Sequence, residues 1–149
     1  MAIKMGMDIE VTRPIEVTQD VIATLIEEAR RAADVECCGL LLGSAGGQGA
    51  VARITQAFPA ANVHPDPARY FEIDPAALIG AYRAMRDGGP ALIGFYHSHP
   101  NGHPRPSAVD CEHAGGDGRI WAIVAATKAH FWRDGPDGFI AVSPLVVTA

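Results

Sequence analysis

Two histidines lie at the end of a short apolar segment, and this arrangement restricts the secondary structure that the segment can adopt. The segment 91–96 (Ala-Leu-Ile-Gly-Phe-Tyr) lies between Gly89-Pro90 and a proline-rich loop, which is typical of a buried strand. His97 and His99 then lie at the carboxyl end of that strand. Residues i and i+2 of an extended chain point to the same face, so both imidazoles can converge on one ion while Ser98 faces away.

A carboxylate follows these histidines after a loop. Ser107 is predicted to be the N-cap of a helix that begins at Ala108, which places Asp110 in the first turn, close to the strand end. Two imidazoles and one carboxylate are the ligand set of a catalytic zinc ion, which keeps a fourth position open for water. We therefore predict that His97, His99 and Asp110 bind one Zn²⁺ ion.

Each part of this pattern also has a purely structural explanation. Ser107 and Asp110 resemble a capping box with Asp in place of Glu, so both could simply start a helix. Neighbouring histidines at a strand end are, taken alone, more often incidental than ligands. The combination of a His-x-His at a strand end, the loop that follows and the Ser-x-x-Asp favours a metal site. His103 could line a substrate groove or face solvent, and His113 could contact a ligand or face solvent.

Length and charge narrow the class of protein. The 149 residues suffice for one domain, residues 1–149, with a core that needs no disulfides. A net charge of -5 with scattered Lys and Arg argues against nucleic acid as a partner. No segment approaches the length of a membrane span, and residues 1–10 lack the apolar core of a secretory signal, so a cytoplasmic location without membrane contact is expected.

Three cysteines, Cys37, Cys38 and Cys111, have no spacing typical of a disulfide framework or a zinc finger. They are expected to be buried thiols. Cys111 follows a proposed ligand directly, but its side chain should point elsewhere on the helix.

Strands and helices alternate along the remaining chain. One helix is predicted from a cap at Thr18 to about Ala33, and another follows a cap at Asp74 with Pro75 at its first position. The second helix has an apolar face formed by Leu78, Ile79, Tyr82 and Met85. Strands are predicted at 38–43, 50–58, 91–96, 119–125, 129–133 and within 139–147. This order predicts a mixed α/β fold (α+β), in which helices flank a mixed sheet.

Three segments together resemble the JAMM zinc metalloproteases, also called MPN-plus or JAB-domain proteins. The segments 36–43, 94–100 and 106–110 fit that family's distant Glu, His-x-His-Pro and Ser-x-x-Asp. The compact length is similar to that of its bacterial single-domain members. The resemblance implies a mixed sheet curled like an open barrel and flanked by helices, with the layering of the cytidine-deaminase fold.

The resemblance also implies roles for individual residues. Glu36 corresponds to the catalytic glutamate, Ser107 to the serine that supports the oxyanion, and His97, His99 and Asp110 to the zinc ligands. The implied activity is cleavage of the peptide or isopeptide bond after the carboxyl-terminal Gly-Gly of a ubiquitin-like or sulfur-carrier protein. In this mechanism Glu36 takes a proton from water and delivers it to the departing amine.

Other functions fit the sequence less well. Without the metal motif, Glu36 would be a solvated residue at a helix–strand junction. A non-catalytic scaffold of the same fold, which binds ubiquitin-like partners, is the main alternative, but here all three ligands and Glu36 are present. Zinc deaminases use a Pro-Cys-x-x-Cys pair that this chain lacks. A DNA-repair role would need a basic surface that the acidic composition does not indicate.

Overall fold

The computed structural model describes residues 13–46 and 51–148. The amino-terminal residues on which the expected location partly depends lie outside this range, as does Ala50, the first residue of one predicted strand. No helix within the described ranges is long and apolar enough to cross a membrane. The elements are β1 (Ile15–Thr18), α1 (Gln19–Ala32), β2 (Cys38–Ser44), β3 (Ala52–Ala60), α2 (Pro75–Arg86), β4 (Ala91–His99), α3 (Ala108–His113), β5 (Ile120–Ala125), β6 (Lys128–Gly135), β7 (Gly138–Val142) and β8 (Leu145–Val147).

The strands of the described residues form one mixed sheet in the order β7-β6-β5-β4-β2-β3-β1-β8. β7 and β8 lie at opposite ends of this order, yet only Ser143 and Pro144 separate them along the chain. The Cα atoms of Val142 and Leu145 can therefore be at most about 11 Å apart. The sheet has to curl until its two ends come near each other, so the predicted curled mixed sheet is confirmed.

Helix α1 covers one face of the sheet. Thr18 caps it, because its side-chain oxygen accepts a hydrogen bond from the backbone N–H of Val21 at 3.4 Å. Val21 and Leu25 are buried in a core that includes Ile54 of β3 and Tyr96 of β4. The predicted helix from Thr18 to about Ala33 is confirmed, and its apolar residues pack on the strands.

Helix α2 covers part of the other face but not with the residues that the sequence indicated. It begins after Asp74, as predicted, and packs on the sheet through its partly buried Ala77, Leu78 and Ala81. Ile79, Tyr82 and Met85 are 52%, 41% and 37% exposed. The predicted apolar face was therefore wrong for these three residues. Small alanine side chains allow the helix to approach the sheet closely, a property that a pattern of bulky apolar residues does not capture.

Two further predictions need correction. The four-residue strand β1 was missed, because a segment this short between Pro14 and a helix cap has no usable periodicity. Only Cys38 is a buried thiol, whereas Cys37 is half-buried and Cys111 is exposed. Cys111 points outward because each helical residue turns by roughly 100° from the one before, and Asp110 faces inward.

Gly94 allows the two central strands β4 and β5 to lie close together. A Cβ atom at this position would overlap with the backbone carbonyl of Ile120 on β5. We expect Gly94→Ala to lower the free energy of unfolding by about 1–3 kcal/mol, as overpacking does in other proteins. Urea denaturation would measure this loss.

Gly80→Ala is the matched control for Gly94→Ala. Gly80 lies in α2, and a Cβ atom there would meet no atom within 4 Å. Because alanine is the better helix former, this substitution should raise the free energy of unfolding by about 0.4–1 kcal/mol. Equal stability losses for both variants would contradict the proposed role of Gly94.

Candidate metal centre

Two histidines form the end of a central strand. His97 and His99 lie in β4, which pairs with β2 on one side and with β5 on the other. The alternation of an extended strand places both imidazoles on the same face, and they are 0% and 7% exposed. Their Nε2 atoms are 3.0 Å apart. The structure therefore brings the two rings together at the position that the sequence predicted.

Helix α3 brings a carboxylate to the same point. Ser107 caps the helix: its Oγ accepts from the backbone N–H of Asp110 at 3.0 Å, and its own backbone N–H donates to Asp110 Oδ2 at 2.8 Å. The same Oδ2 atom lies 3.1 Å from Nε2 of His97 and 3.1 Å from Nε2 of His99. The capping box is thus present, and its second member, Asp110, also faces the histidines.

The three side-chain donors form a nearly equilateral triangle with edges of 3.0, 3.1 and 3.1 Å. In a tetrahedral zinc site with ligands at 2.0–2.2 Å, neighbouring ligand atoms are separated by roughly 3.3–3.5 Å. The donor set and its spacing therefore fit a Zn²⁺ ion with small adjustments. Three donors from one buried cluster also leave one side open, as in catalytic zinc sites.

A hydrogen bond fixes which nitrogen of His99 faces the cluster. Its Nδ1 lies 2.7 Å from the backbone oxygen of His103, so Nδ1 carries a proton and donates it. In the neutral ring Nε2 then has a free lone pair. Metal-binding histidines commonly have such a partner for the other nitrogen. Burial lowers the pKa of His99, but Asp110 and this carbonyl outweigh burial and raise it.

Aromatic rings hold His97 in place. The ring of Phe71 stacks on it, with centroids 4.2 Å apart, and Trp121 meets it edge-on at 5.8 Å. Among the described residues its Nδ1 atom has no hydrogen-bond partner. Burial is the main reason why the pKa of His97 lies below its ordinary value. A neutral imidazole is the form that a metal ion requires.

The contacts with the two imidazoles lower the pKa of Asp110. Burial would raise it, but the two imidazoles and the backbone N–H of Ser107 outweigh burial and hold it well below its ordinary value. Asp110 therefore stays ionised, and its negative charge would offset that of a cation bound at this point.

Glu36 lies beside the triangle. It is 6% exposed, and one carboxylate oxygen lies within 4.8 Å of the donor nitrogens of His97 and His99. Asp110 has one oxygen only 3.1 Å from both nitrogens, so it would complete a set of three metal ligands more closely than Glu36. Burial is the main reason why the pKa of Glu36 is raised to about 8. The charge of His99 lowers this pKa, and the charge of Asp110 raises it. A carboxyl group with this pKa can both accept and release a proton near neutral pH.

Two polar side chains that the sequence analysis did not single out hold the backbone around Glu36. Ser98, between the two histidines, accepts from the Cys37 N–H at 2.9 Å through its Oγ. Asn62 donates to the carbonyls of Glu36 and Tyr70 at 2.9 and 3.0 Å. Its oxygen accepts from two further backbone N–H groups, those of His64 and Glu72. Asn62 thus connects Glu36 to the loop between β3 and α2.

Removal of the Asn62 amide should therefore loosen this loop. We expect Asn62→Ala to lower the free energy of unfolding by about 1–3 kcal/mol, because four backbone groups lose a partner and three of these four hydrogen bonds are partly buried. Asn101→Ala is the control, since Asn101 makes one exposed hydrogen bond, to the N–H of His103, and should cost at most about 0.5 kcal/mol. Urea denaturation of both variants would measure the difference, and similar losses would contradict the connecting role of Asn62.

A groove of about 670 Å³ runs beside this cluster. Glu36 and His99 contribute to it, together with Ser107 from the start of α3. His103 also lines the groove, and its side chain is exposed. His113 is exposed as well. The Ser107 hydroxyl accepts from Asp110 N–H and keeps its own hydrogen for another acceptor.

Comparison with known proteins shows similarity over most of the chain. The family described as prokaryotic homologs of the JAB domain matches residues 18–135. A desampylase from Haloferax volcanii is 31% identical over 125 residues, which cover 79% of this chain and 87% of that protein. A CysO-cysteine peptidase from Mycobacterium tuberculosis is 26% identical over 74% of this chain and 73% of its own length.

A third relative matches a shorter region. A probable TtuB-protein conjugate cleaving protease from Thermus thermophilus is 36% identical over 60% of this chain and 59% of its own length. Among solved structures, a protein from Desulfitobacterium hafniense superposes with a TM-score of 0.77 at 26% identity, covering 91% of this chain and 94% of that one. A JAB1/MPN domain protein from Archaeoglobus fulgidus has a TM-score of 0.58 at 19% identity, covering 89% and 96%. The latter similarity concerns the fold.

Proposed function

Because the chain belongs to the family of prokaryotic homologs of the JAB domain, we propose that it is a Zn²⁺-dependent hydrolase of ubiquitin-like conjugates. Its substrate would be a ubiquitin-like or sulfur-carrier protein joined through a carboxyl-terminal Gly-Gly to another group. The enzyme would cut the peptide or isopeptide bond that follows the second glycine.

One observation carries this proposal: the triangle of His97, His99 and Asp110 has a buried glutamate and an open groove beside it. Three donors with edges of 3.0–3.1 Å support binding of one Zn²⁺ ion. Glu36 lies within 4.8 Å of the histidine donors, close enough to reach a water molecule at the open side. A groove along the same side supports access by an extended chain.

A Zn²⁺ ion at this site would polarise the scissile carbonyl and make water nucleophilic near neutral pH. Glu36 would accept the proton that water loses when it attacks and then deliver it to the departing amine. The position of this carboxyl group beside the histidine donors supports both roles, and its burial keeps the pKa above the ordinary value. Ser107 would donate its hydroxyl hydrogen to the oxygen on which negative charge develops.

The names of the relatives support the substrate class. Desampylase, TtuB-protein conjugate cleaving protease and CysO-cysteine peptidase each name a reaction in which a bond to another protein or an amino acid is cut. The desampylase and the CysO-cysteine peptidase are covered over 87% and 73% of their lengths, so the similarity includes most of each of these two proteins.

Ser107 should affect both stability and turnover. We expect Ser107→Ala to lower the free energy of unfolding by about 0.5–2 kcal/mol through loss of the helix cap. Loss of an oxyanion donor should also raise the barrier by about 2.7–4 kcal/mol. Ser107→Thr keeps a hydroxyl and should restore most of both. Thermal unfolding beside steady-state kinetics separates the two effects, and normal turnover by the alanine variant would exclude the oxyanion role.

A cleavage assay tests the proposed function directly. Zinc-loaded protein would be incubated with a panel of ubiquitin-like carriers extended beyond Gly-Gly, with and without a chelator, and the products identified by intact mass. We expect cleavage after the second glycine that stops when the chelator is added and returns with Zn²⁺. Cleavage that ignores the chelator would refute the metal-dependent mechanism, and binding of carriers without any cleavage would favour a scaffold.

A further inference from the structure

The groove beside the metal centre has a charge opposite to that of the whole chain. The protein carries a net charge of -5. Within the described residues, however, the charged groups that line the groove are Glu36 at its floor and two arginines, Arg69 and Arg105. Both arginines are exposed. A substrate that enters this groove therefore meets two cationic groups beside the reacting centre.

Neither guanidinium is neutralised by its surroundings. Arg69 and Arg105 have no ion-pair partner among residues 13–46 and 51–148. Other arginines of the chain do have one: Arg30 pairs with Glu27 at 2.7 Å and Arg53 with Glu16 at 3.2 Å. The two groove arginines are thus available to a ligand, and a guanidinium binds a carboxylate with two parallel hydrogen bonds.

Short connections tie both arginines to the proposed catalytic groups. Arg105 precedes Ser107 by two residues, so their Cα atoms are at most about 7.6 Å apart. Arg69 precedes Tyr70, whose carbonyl accepts from the same Asn62 amide that binds the carbonyl of Glu36. The two arginines therefore lie in the two segments that place Ser107 and Glu36, and both line the same groove as these residues.

We propose that Arg69 and Arg105 bind a carboxylate on the leaving group, so that the preferred substrate carries a negative charge directly after the scissile bond. This inference rests on the proposed function. A single amino acid attached to the Gly-Gly end has its α-carboxylate only one carbon atom from the departing nitrogen. An acidic side chain on the first residue of a longer leaving group would supply the same chemistry.

Four labelled peptides distinguish the two sources of the carboxylate. Each would have the same tail and end in Gly-Gly-Ala, Gly-Gly-Ala-amide, Gly-Gly-Glu-amide or Gly-Gly-Gln-amide. Hydrogen bonds to a charged group predict that the acid is cleaved with a kcat/KM about tenfold to a hundredfold above that of its amide. The same advantage of Glu-amide over Gln-amide would identify an acidic side chain as the source.

Variants of the two arginines test whether these residues bind the carboxylate. Arg69→Ala and Arg105→Ala should reduce kcat/KM for the acid by about tenfold and leave that for the amide nearly unchanged. Arg86→Ala is the matched control, because Arg86 is exposed on α2 outside the groove. It should keep the full preference for the acid. An equal loss for acid and amide in the groove variants would overturn the inference.

Binding measurements separate this inference from the proposed function. Fluorescence anisotropy with the Glu36→Gln variant would compare the affinity of the acid and amide peptides without turnover. Tighter binding of a carboxylate peptide, lost in Arg69→Ala and Arg105→Ala, would support the inference even if no peptide were cleaved. Absence of cleavage would count against the proposed hydrolysis only. Absence of any carboxylate preference in both binding and cleavage would overturn the inference.

Discussion

Glu36→Gln should reduce turnover of a Gly-Gly-extended carrier by about 10²–10⁴-fold, the usual contribution of a general acid–base group. Glutamine has nearly the same size and shape but cannot take a proton from water or return it to the amine. Because His97, His99 and Asp110 are unchanged, the variant should still bind one Zn²⁺ ion. Steady-state kinetics and metal analysis of the same preparation would measure both quantities.

Glu112→Gln provides the control for this substitution. Glu112 is exposed on α3, two residues beyond Asp110, and faces away from the buried cluster. Its replacement makes the same chemical change in the same region and should leave turnover within about twofold, since exposed substitutions usually change free energies by less than about 0.5 kcal/mol. Full turnover by Glu36→Gln would show that another group moves the proton.

Asp110→Asn is expected to abolish Zn²⁺ binding at micromolar concentrations and turnover with it. Asparagine keeps the size of the side chain but removes the negative charge that offsets the cation between two neutral imidazoles. In the unchanged protein, Zn²⁺ at 100 times its Kd should add about 2.7 kcal/mol of stability. For a chain of this size, that gain corresponds to a rise in Tm of about 5–10 °C.

Thermal unfolding with and without Zn²⁺ gives a readout of this prediction that does not depend on activity. The unchanged protein should show the rise in Tm, and Asp110→Asn should not. Asp137→Asn, at the exposed turn between β6 and β7, removes the same charge far from the cluster along the chain and should keep the full rise. A zinc-dependent rise that survives in Asp110→Asn would mean that this aspartate is not a ligand.

Local signals in the sequence were sufficient for much of the fold. Thr18 and Asp74 mark the beginnings of α1 and α2 because a cap depends only on residues within one helical turn. The exposure of Ile79 could not be predicted in the same way, because it depends on how α2 lies on β2 and β4. The strand β1 is likewise defined by its distant partners β3 and β8 rather than by its own four residues.

The same distinction applies to the candidate site. The convergence of His97 and His99 follows from the alternation of one strand, so the sequence alone predicts it. The stacking of Phe71 on His97 and the four hydrogen bonds of Asn62 depend on how a loop folds back over the sheet. Neither residue has a type or spacing that indicates such a contact. These supporting residues became visible only in the structure.

The oxygen that Asp110 presents to the histidines is also the one that accepts from the N–H of Ser107. The geometry of one helical turn therefore fits the separation of serine and aspartate in the Ser-x-x-Asp motif. Ser107 and Asp110 are joined by two reciprocal hydrogen bonds and form one structural unit. Insertion or deletion of a residue between them would misplace the carboxylate and unravel the turn in the same event.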